Sequence, residues 1–88
     1  MGNKKEGDIY KVFSNQNRVK LVVCLSTAKS VTDLLSFCEL SQSALSQHLK
    51  ILKEEGVAVC HRDGKKQIYS IKNKKIAHIA KLMLGINK

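Results

Sequence analysis

The sequence predicts a mostly α-helical domain that carries one β-hairpin. Apolar residues recur at spacings of three and four along most of the chain, which is the period of an amphipathic helix. After Gly56 the period changes to an alternation of two on either side of Asp63-Gly64, a strong short signal for a hairpin. The predicted order is therefore four helices, two strands and a last helix. The 88 residues suffice for a single domain with one modest core.

The first helix is predicted to be short and to follow a flexible start. Residues 1–7 are polar and are expected to be flexible. Ile9, Val12 and Phe13 then lie at helical spacing and give the helix one apolar face.

The second helix is predicted to be the central helix of the core. Ser14 or Asn15 can cap it, and its apolar residues lie on two adjoining sides. The Val22-Val23 pair has modest helix propensity, so a strand is the competing interpretation. We favour a helix because Arg18 and Lys20 interrupt a strict alternation.

The third and fourth helices are predicted to form a helix-turn-helix pair. Thr32 is the expected N-cap of the third helix, with Asp33 in its first turn. A short turn at Glu39-Leu40 joins this helix to the fourth, for which Ser41 is the expected N-cap. Gly56 stands where a left-handed residue would end that helix.

The fourth helix has two chemically different faces. Leu45, Leu49 and Leu52 form a stripe that must be buried. The first two turns of the opposite face carry hydroxyls and carboxamides and no acidic residue, so they can bond to phosphates and base edges without charge repulsion. This face predicts a DNA-recognition helix, and an ordinary surface helix is the alternative. The predicted DNA-reading residues are Gln42, Ser43, Ser46, Gln47 and Lys50.

The hairpin tip and the charge distribution point to the same partner. Three cations, Arg62, Lys65 and Lys66, cluster at the turn. The net charge is +9 with a pI near 9.7, and the segment from Arg62 onwards carries +7 of that charge. Such a chain attracts polyanions, with double-stranded DNA as the first expectation and an anionic membrane surface as the second.

The last helix is expected to run from a cap at Asn73 to about Ile86. Its apolar face is wider than a domain of this size needs for its own core, which predicts a homodimer seam shared with the first helix. The predicted seam residues are Ile9, Val12, Phe13, Ile76, Ile79, Ala80 and Met83. A basic helix lying on a membrane is the alternative, but the lysines at 72, 74 and 75 cluster at one end of the helix instead of lining its polar side.

Export and membrane insertion find no support. The longest apolar run covers residues 21–25, far short of a membrane span, and the N-terminus lacks the apolar core and cleavage site of a signal peptide. We therefore expect a cytoplasmic protein that has no membrane partner.

Taken together, these elements describe a winged helix-turn-helix, in which the hairpin is the wing. Residues 40–57 contain Ser43-x-x-Ser46-x-His48-Leu49 and are followed by Arg62-Asp63-Gly64-Lys65 and Ile68-Tyr69-Ser70-Ile71. With residues 13–21, these segments resemble the ArsR/SmtB family of bacterial winged-helix repressors. The resemblance covers about residues 9–86.

The resemblance implies a homodimer that is joined through its first and last helices and binds an imperfect palindrome near a promoter. Family members usually repress transcription and are often released by a metal ion or a thiol oxidant. The family's DNA-reading positions match the predicted face of the fourth helix. Its wing positions match Arg62, Lys65 and Lys66, which we assign to phosphate or minor-groove contacts.

The metal sites of the family have no match in this sequence. The third helix, at 32–37, lacks the family's Cys-x-Cys pair, and Cys38 lies beyond it. In the last helix, His78 stands among lysines with no carboxylate, so a cation would meet one imidazole and repulsion. We therefore expect no metal site and no cofactor.

The three cysteines are Cys24, Cys38 and Cys60, an odd number that argues against a disulfide framework. Inert packing is the favoured interpretation, and a redox pair of Cys24 with either of the others requires α-carbons within about 7 Å. The family's dithiol sensors pair a cysteine of the second helix with one of the last helix, which here has none.

No catalytic grouping is present, because the sequence shows no Ser-His-Asp or Cys-His arrangement, phosphate-binding glycine loop or paired carboxylates. We expect a sequence-specific DNA-binding transcriptional repressor and not an enzyme. The alternatives are a protein-interaction module and a constitutive DNA-binding protein without an effector.

Overall fold

The computed structural model describes residues 8–86. The elements are α1 (Ile9–Phe13), α2 (Gln16–Cys24), β1 (Lys29–Ser30), α3 (Val31–Phe37), α4 (Gln42–Glu54), β2 (Ala58–Asp63), β3 (Lys66–Ile71) and α5 (Lys74–Ile86). The predicted fold class, a mostly helical winged helix-turn-helix, is confirmed. The expectation that residues 1–7 are flexible lies outside the described residues.

Most of the predicted helix caps are confirmed. The Asn15 side chain accepts a hydrogen bond from the Asn17 amide at 2.8 Å and caps α2. Ser41 does the same for α4 by accepting from the Ala44 amide at 3.1 Å. Asn73 accepts from the Lys75 amide at 2.9 Å at the start of α5. Each bond satisfies an amide that has no partner within its helix.

The predicted cap of α3 is wrong. Ser30, and not Thr32, is the N-cap, because the helix begins at Val31. The Ser30 hydroxyl accepts from the Asp33 amide at 3.1 Å, and the Asp33 carboxylate accepts from the Ser30 amide at 3.4 Å. Such reciprocal bonding is a capping box, with Asp33 in the position usually held by Glu or Gln.

The β-sheet has three strands and not the two predicted. Their order is β1-β3-β2, and β1 pairs with β3 through Lys29 opposite Tyr69 and Ser30 opposite Ile68. A strand of two residues is too short to show an alternating pattern, so the sequence contained no signal for it.

The turn of the hairpin lies one residue further along the chain than predicted. Asp63 pairs with Lys66, which leaves Gly64 and Lys65 as the two loop residues. Gly64 has φ +64°, and among residues 8–86 no residue other than glycine has a positive φ. A two-residue loop with glycine in first place is typical of a type II′ turn. Lys65 therefore stands at the very tip of the wing.

The core surrounds α2, as predicted. The largest fully buried side chains come from helices α1 to α4 and from the segments directly after α2 and α4, and they are Leu21, Leu25, Leu34, Leu45, Leu52, Val12, Val22 and Val57. Leu45, Leu49 and Leu52 of the predicted α4 stripe are all buried, which confirms that face. The burial of these three leucines fixes the rotation of α4 about its own axis, and hence which of its residues face outward.

Candidate nucleic-acid interface

The outward face of α4 presents the five residues predicted to read DNA. Because the leucine stripe is locked into the core, the opposite side must face solvent. The exposed residues on that side are Gln42, Ser43, Ser46, Gln47 and Lys50. The helix is bounded by the Ser41 cap and by Gly56, whose φ of +76° suits a left-handed position after a helix. The face is thus held by a capped helix of 13 residues.

Lys50 is the cation of this face, and Glu54 lies one turn further along. Their charged atoms are 4.0 Å apart, and the two side chains are 74% and 53% exposed. An ion pair so exposed contributes little to stability, and Lys50 can readily exchange Glu54 for another partner. Lys50 therefore stays available to an anionic ligand.

A surface cleft of about 260 Å³ separates α4 from the hairpin. Its α4 wall includes Gln42, Ser46 and Lys50, and its floor includes Gln67 and Tyr69 of β3. Burial first, and the neighbouring Cys60 second, raise the pKa of Tyr69, so its phenol stays protonated near neutral pH and can donate a hydrogen bond.

A second cleft, of about 280 Å³, lies between the start of α3 and the wing. Arg62, Lys65 and Lys66 line it, together with Thr32 and with Gln67, which also lines the first cleft. The predicted helix residues and the predicted wing residues therefore border one continuous surface. We call this surface, from Gln42 on α4 to Lys66 on the wing, the basic face.

Four residues of the basic face were missed in the sequence, namely Thr32, Lys53, Gln67 and Tyr69. Gln67 and Tyr69 could have been found, because they follow the predicted wing residue Lys65 at spacings of two. Residues two apart on a strand lie on the same side of the sheet. Lys53 lies one turn after Lys50 on the same helix, which was also visible in the spacing. The prediction that Thr32 caps α3 gave no reason to place it beside the wing.

A second surface joins α1 to α5 and holds most of the predicted seam residues. Phe13 of α1 and Met83 of α5 line a small cleft of about 140 Å³, with Gln16 and Val19 of α2 between them. Ile9, Phe13, Ile76 and Met83 are half-buried, and Ile79 is 45% exposed. We call this surface the α1–α5 surface.

The prediction for the α1–α5 surface needs two corrections. Val12 and Ala80 have no exposed area, so they belong to the core of the protomer and cannot contact another chain. In contrast, Tyr10 is 89% exposed and Leu82 is 55% exposed, although neither is among the predicted seam residues. The apolar side of α1 faces inward, and Tyr10 lies on its outer flank.

The structure brings Cys24 and Cys38 together and leaves Cys60 apart from them. Cys24 and Cys38 line one cavity of about 560 Å³, bounded also by Lys20 and Leu40. Burial first, and then the adjacent Cys24 thiol, raise the pKa of Cys38, while Lys20 lowers it. Cys60 stands on β2 opposite Tyr69. All three thiols are free and partly exposed.

Within residues 8–86 the structure has neither a metal-binding cluster nor a helix that could span a membrane. No group of three or more His, Cys, Asp or Glu side chains in this part of the chain is placed to share a metal ion. None of the helices described has both the length and the apolar character required to cross a membrane.

A family model and curated relatives of this chain point to the same protein family. A model of the family described as "Bacterial regulatory protein, arsR family" matches residues 15–58. The cadmium resistance transcriptional regulatory protein CadC of Listeria innocua is 38% identical over 80 residues, which are 89% of this chain and 66% of the relative. The chain therefore spans just under two thirds of the length of that relative.

Solved structures agree with this match. The transcriptional repressor BigR of Xylella fastidiosa superposes with a TM-score of 0.80 at 29% identity, covering 89% of this chain and 81% of that one. HlyU of Vibrio cholerae, which is named as a transcriptional activator, superposes with a TM-score of 0.78 at 29% identity, covering 89% and 86%. On the family model, the CadC match and the fold, the chain belongs to the arsR family of bacterial regulatory proteins.

Proposed function

We propose that this protein is a sequence-specific, double-stranded DNA-binding transcriptional regulator that acts as a homodimer on a palindromic operator. The observation that carries the proposal is the basic face, where an acid-free stretch of α4 and the cationic wing border one surface. Binding to chromosomal DNA is also in keeping with the cytoplasmic location that the sequence predicts.

In the proposed complex, α4 lies in the major groove. Carboxamides such as those of Gln42 and Gln47 can form paired hydrogen bonds with adenine, and Ser43 and Ser46 can bond to bases or phosphates. Arg62, Lys65 and Lys66 contact phosphates or the minor groove beside it, and these contacts fix the register of α4 on the duplex.

The α1–α5 surface is the proposed dimer seam. Tyr10 on α1 and Ile79 and Leu82 on α5 expose large apolar side chains, and their burial is favourable when a second copy covers them. A twofold axis through this surface would pair the two α4 helices. The helices must then meet successive major grooves about 34 Å apart.

Repression is the direction of regulation that we propose. BigR is named as a repressor and HlyU as an activator, so the fold serves both directions. A small dimer that binds tightly across a promoter can block transcription by occupying the site, which requires only the basic face and the seam.

Cys24 and Cys38 are the proposed effector site. Oxidation of the two thiols to a disulfide releases two protons and two electrons, which reduce one molecule of hydrogen peroxide to two molecules of water. Cys38 lies three residues before Ser41, the cap of α4, so a new bond to α2 would act directly on the connection that positions α4. A protein lacking this response would be a constitutive DNA-binding regulator.

Selection of duplexes from a random pool tests the proposed function. The purified protein should enrich one palindrome, and a footprint on that palindrome should show two protected half-sites one helical turn apart. The affinity should fall steeply as salt is raised. Enrichment of no sequence, with tight and salt-insensitive binding to a protein partner, would instead favour an interaction module.

A further inference from the structure

Arg18 is a charged residue at the centre of the fold. Only 9% of it is exposed, and its guanidinium reaches back to the end of α1. Its Nε donates to the Val12 carbonyl at 3.1 Å, and its Nη2 donates to the Lys11 carbonyl at 2.9 Å and to the Ser14 hydroxyl at 3.2 Å. The last carbonyls of a helix have no partner within the helix, so Arg18 acts as the C-terminal cap of α1.

This cap matters because α1 has only five residues. A helix so short does not form without tertiary contacts. The guanidinium therefore helps to set where α1 lies, and with it the position of the α1–α5 surface.

The same guanidinium also contacts α4. Its Nη1 lies 3.4 Å from Nδ1 of His48. Arginine donates hydrogen bonds and accepts none, so a hydrogen bond at this contact requires a neutral imidazole that accepts at Nδ1 and carries its proton on Nε2. His48 follows Gln47 directly, between the buried leucine stripe and the outward face of α4. One cation thus bonds to α1 and touches α4.

Protonation of His48 would remove this contact. An imidazolium has no acceptor, and it would stand as a second cation against a permanently charged guanidinium. Burial first, and Arg18 second, lower the pKa of His48 from its usual value of 6.5. The other pair between α1 and the end of α4, Lys11 with Glu55 at 3.6 Å, involves a residue two helical turns beyond His48. Arg18 is therefore the charged group that faces the imidazole.

We infer that Arg18 is a positioning residue that holds α4 against α1 through neutral His48, and that sequence-specific DNA binding weakens when either partner of this contact is lost, including by protonation of His48. Only the part of this inference that concerns DNA binding rests on the proposed function. It makes acidification below about pH 6.5 a condition in which the proposed regulator releases its operator.

The sign of this effect is opposite to that of simple electrostatics. Added positive charge on a DNA-binding protein ordinarily strengthens binding. Here the protonated His48 loses its bond to Arg18 and α4 loses its support. Because the pKa of His48 is lowered in the folded state, the unfolded chain takes up the proton first, and stability is lost as pH falls below about 6.5.

The test uses a reference protein in which the other two histidines are replaced, so that His48 is its one histidine. The chain has three histidines, so His61→Gln/His78→Gln is that reference. Affinity for the selected operator is measured from pH 7.5 to 5.5 at constant salt. We expect a loss of about fivefold or more over this range. Adding His48→Gln should abolish the pH dependence, whatever the affinity at pH 7.5. A reference protein whose affinity stays flat or rises on acidification would overturn the inference.

A second measurement does not need DNA. An NMR titration of His48 in the reference protein should give a pKa below 6.5, and Arg18→Met should raise that pKa.

Should the Arg18→Met variant not fold, Arg18→Lys is the substitute, because it keeps the charge but lacks the planar guanidinium. It should weaken operator binding about fivefold while leaving affinity for random duplex unchanged. An unchanged His48 pKa in a folded Arg18→Met protein, or an Arg18→Lys protein whose affinity is unchanged on the operator or falls equally on both duplexes, refutes the link. Failure of every variant and of the wild type to bind duplex would refute the proposed function, while the NMR result still judges the Arg18–His48 contact.

Discussion

Arg62 of β2 lies directly opposite Gln67 of β3 in the register of the wing. Cross-strand partners share one side of a sheet, and residues two apart along a strand do as well, so both belong to the side of Tyr69, which lines the cleft beside α4. The register of one hairpin thus places a wing cation on the same side as the helix predicted to read bases. Helix and wing border one surface because of this pairing.

Base reading by α4 can be tested at Gln47. We expect Gln47→Ala to weaken binding to the selected operator by about 1–3 kcal/mol, because a carboxamide that bonds to a base edge loses both of its bonds. Affinity for a random duplex should change little. Asn17→Ala, which removes an exposed carboxamide on α2 outside both the basic face and the α1–α5 cleft, is the matched control. An equal loss on the operator and the random duplex would remove Gln47 from base reading.

The wing lysines should act on every duplex alike. Lys65→Ala and Lys66→Ala each remove an exposed cation from the second cleft. We expect each change to lower affinity for operator and random DNA in parallel and to reduce the slope of log K against log salt by about 1. Filter binding over a series of salt concentrations measures this slope. Lys81→Ala, an exposed lysine on α5, is the comparison of equal charge, and a similar change of slope there would argue against specific wing contacts.

The proposed seam should be sensitive to a charge at Leu82. Burial of a leucine contributes about 1.5–3 kcal/mol, and a twofold seam contains the residue twice, so Leu82→Glu should raise the dimer dissociation constant by about 100-fold or more. Sedimentation velocity gives the oligomeric state. Val59 is also an exposed apolar residue, 40% exposed on β2, and Val59→Glu should leave the dimer intact. A monomeric wild type at high micromolar concentration would contradict the proposed seam.

The capping box of α3 predicts a difference between two neighbouring hydroxyl residues. Ser30→Ala should destabilise the fold by about 0.5–2 kcal/mol, because the Asp33 amide loses its acceptor. Thr32→Ala should cost less than about 0.5 kcal/mol, since Thr32 is exposed and does not cap the helix. Urea unfolding followed by circular dichroism gives both values. Equal costs would mean that the hydroxyl of Ser30 has no special role.

The effector proposal predicts a response that depends on two of the three cysteines. Peroxide should release the wild-type protein from its operator, and Cys24→Ser or Cys38→Ser should abolish that release. Cys60→Ser should respond as the wild type does, because Cys60 lies elsewhere, on β2. Since burial and Cys24 raise the pKa of Cys38, its thiolate is scarce at neutral pH, and the release should become faster as pH rises. A rate independent of pH, or release that persists in Cys38→Ser, would contradict the proposal.

The periodic elements were predictable because their signals are local. The leucines at 45, 49 and 52 repeat at the helical period, so their burial and the exposure of Gln47 followed from spacing alone. Ser41, Asn73 and the glycine at 64 act within a few residues of their own position, and the sequence contains the whole of each motif.

Contacts between distant segments were decided only by the tertiary structure. β1 exists because two residues near position 30 meet β3, which lies almost forty residues later. Val12 carries the same apolar character as a seam residue, and only the packing of α1 against α2 makes it part of the core. In the sequence Arg18 is an ordinary interruption of an apolar helix, and only the tertiary structure places its guanidinium between α1 and His48. Local periodicity determines which side of an element is apolar, whereas the choice between core, seam and ligand surface depends on which other elements pack against that side.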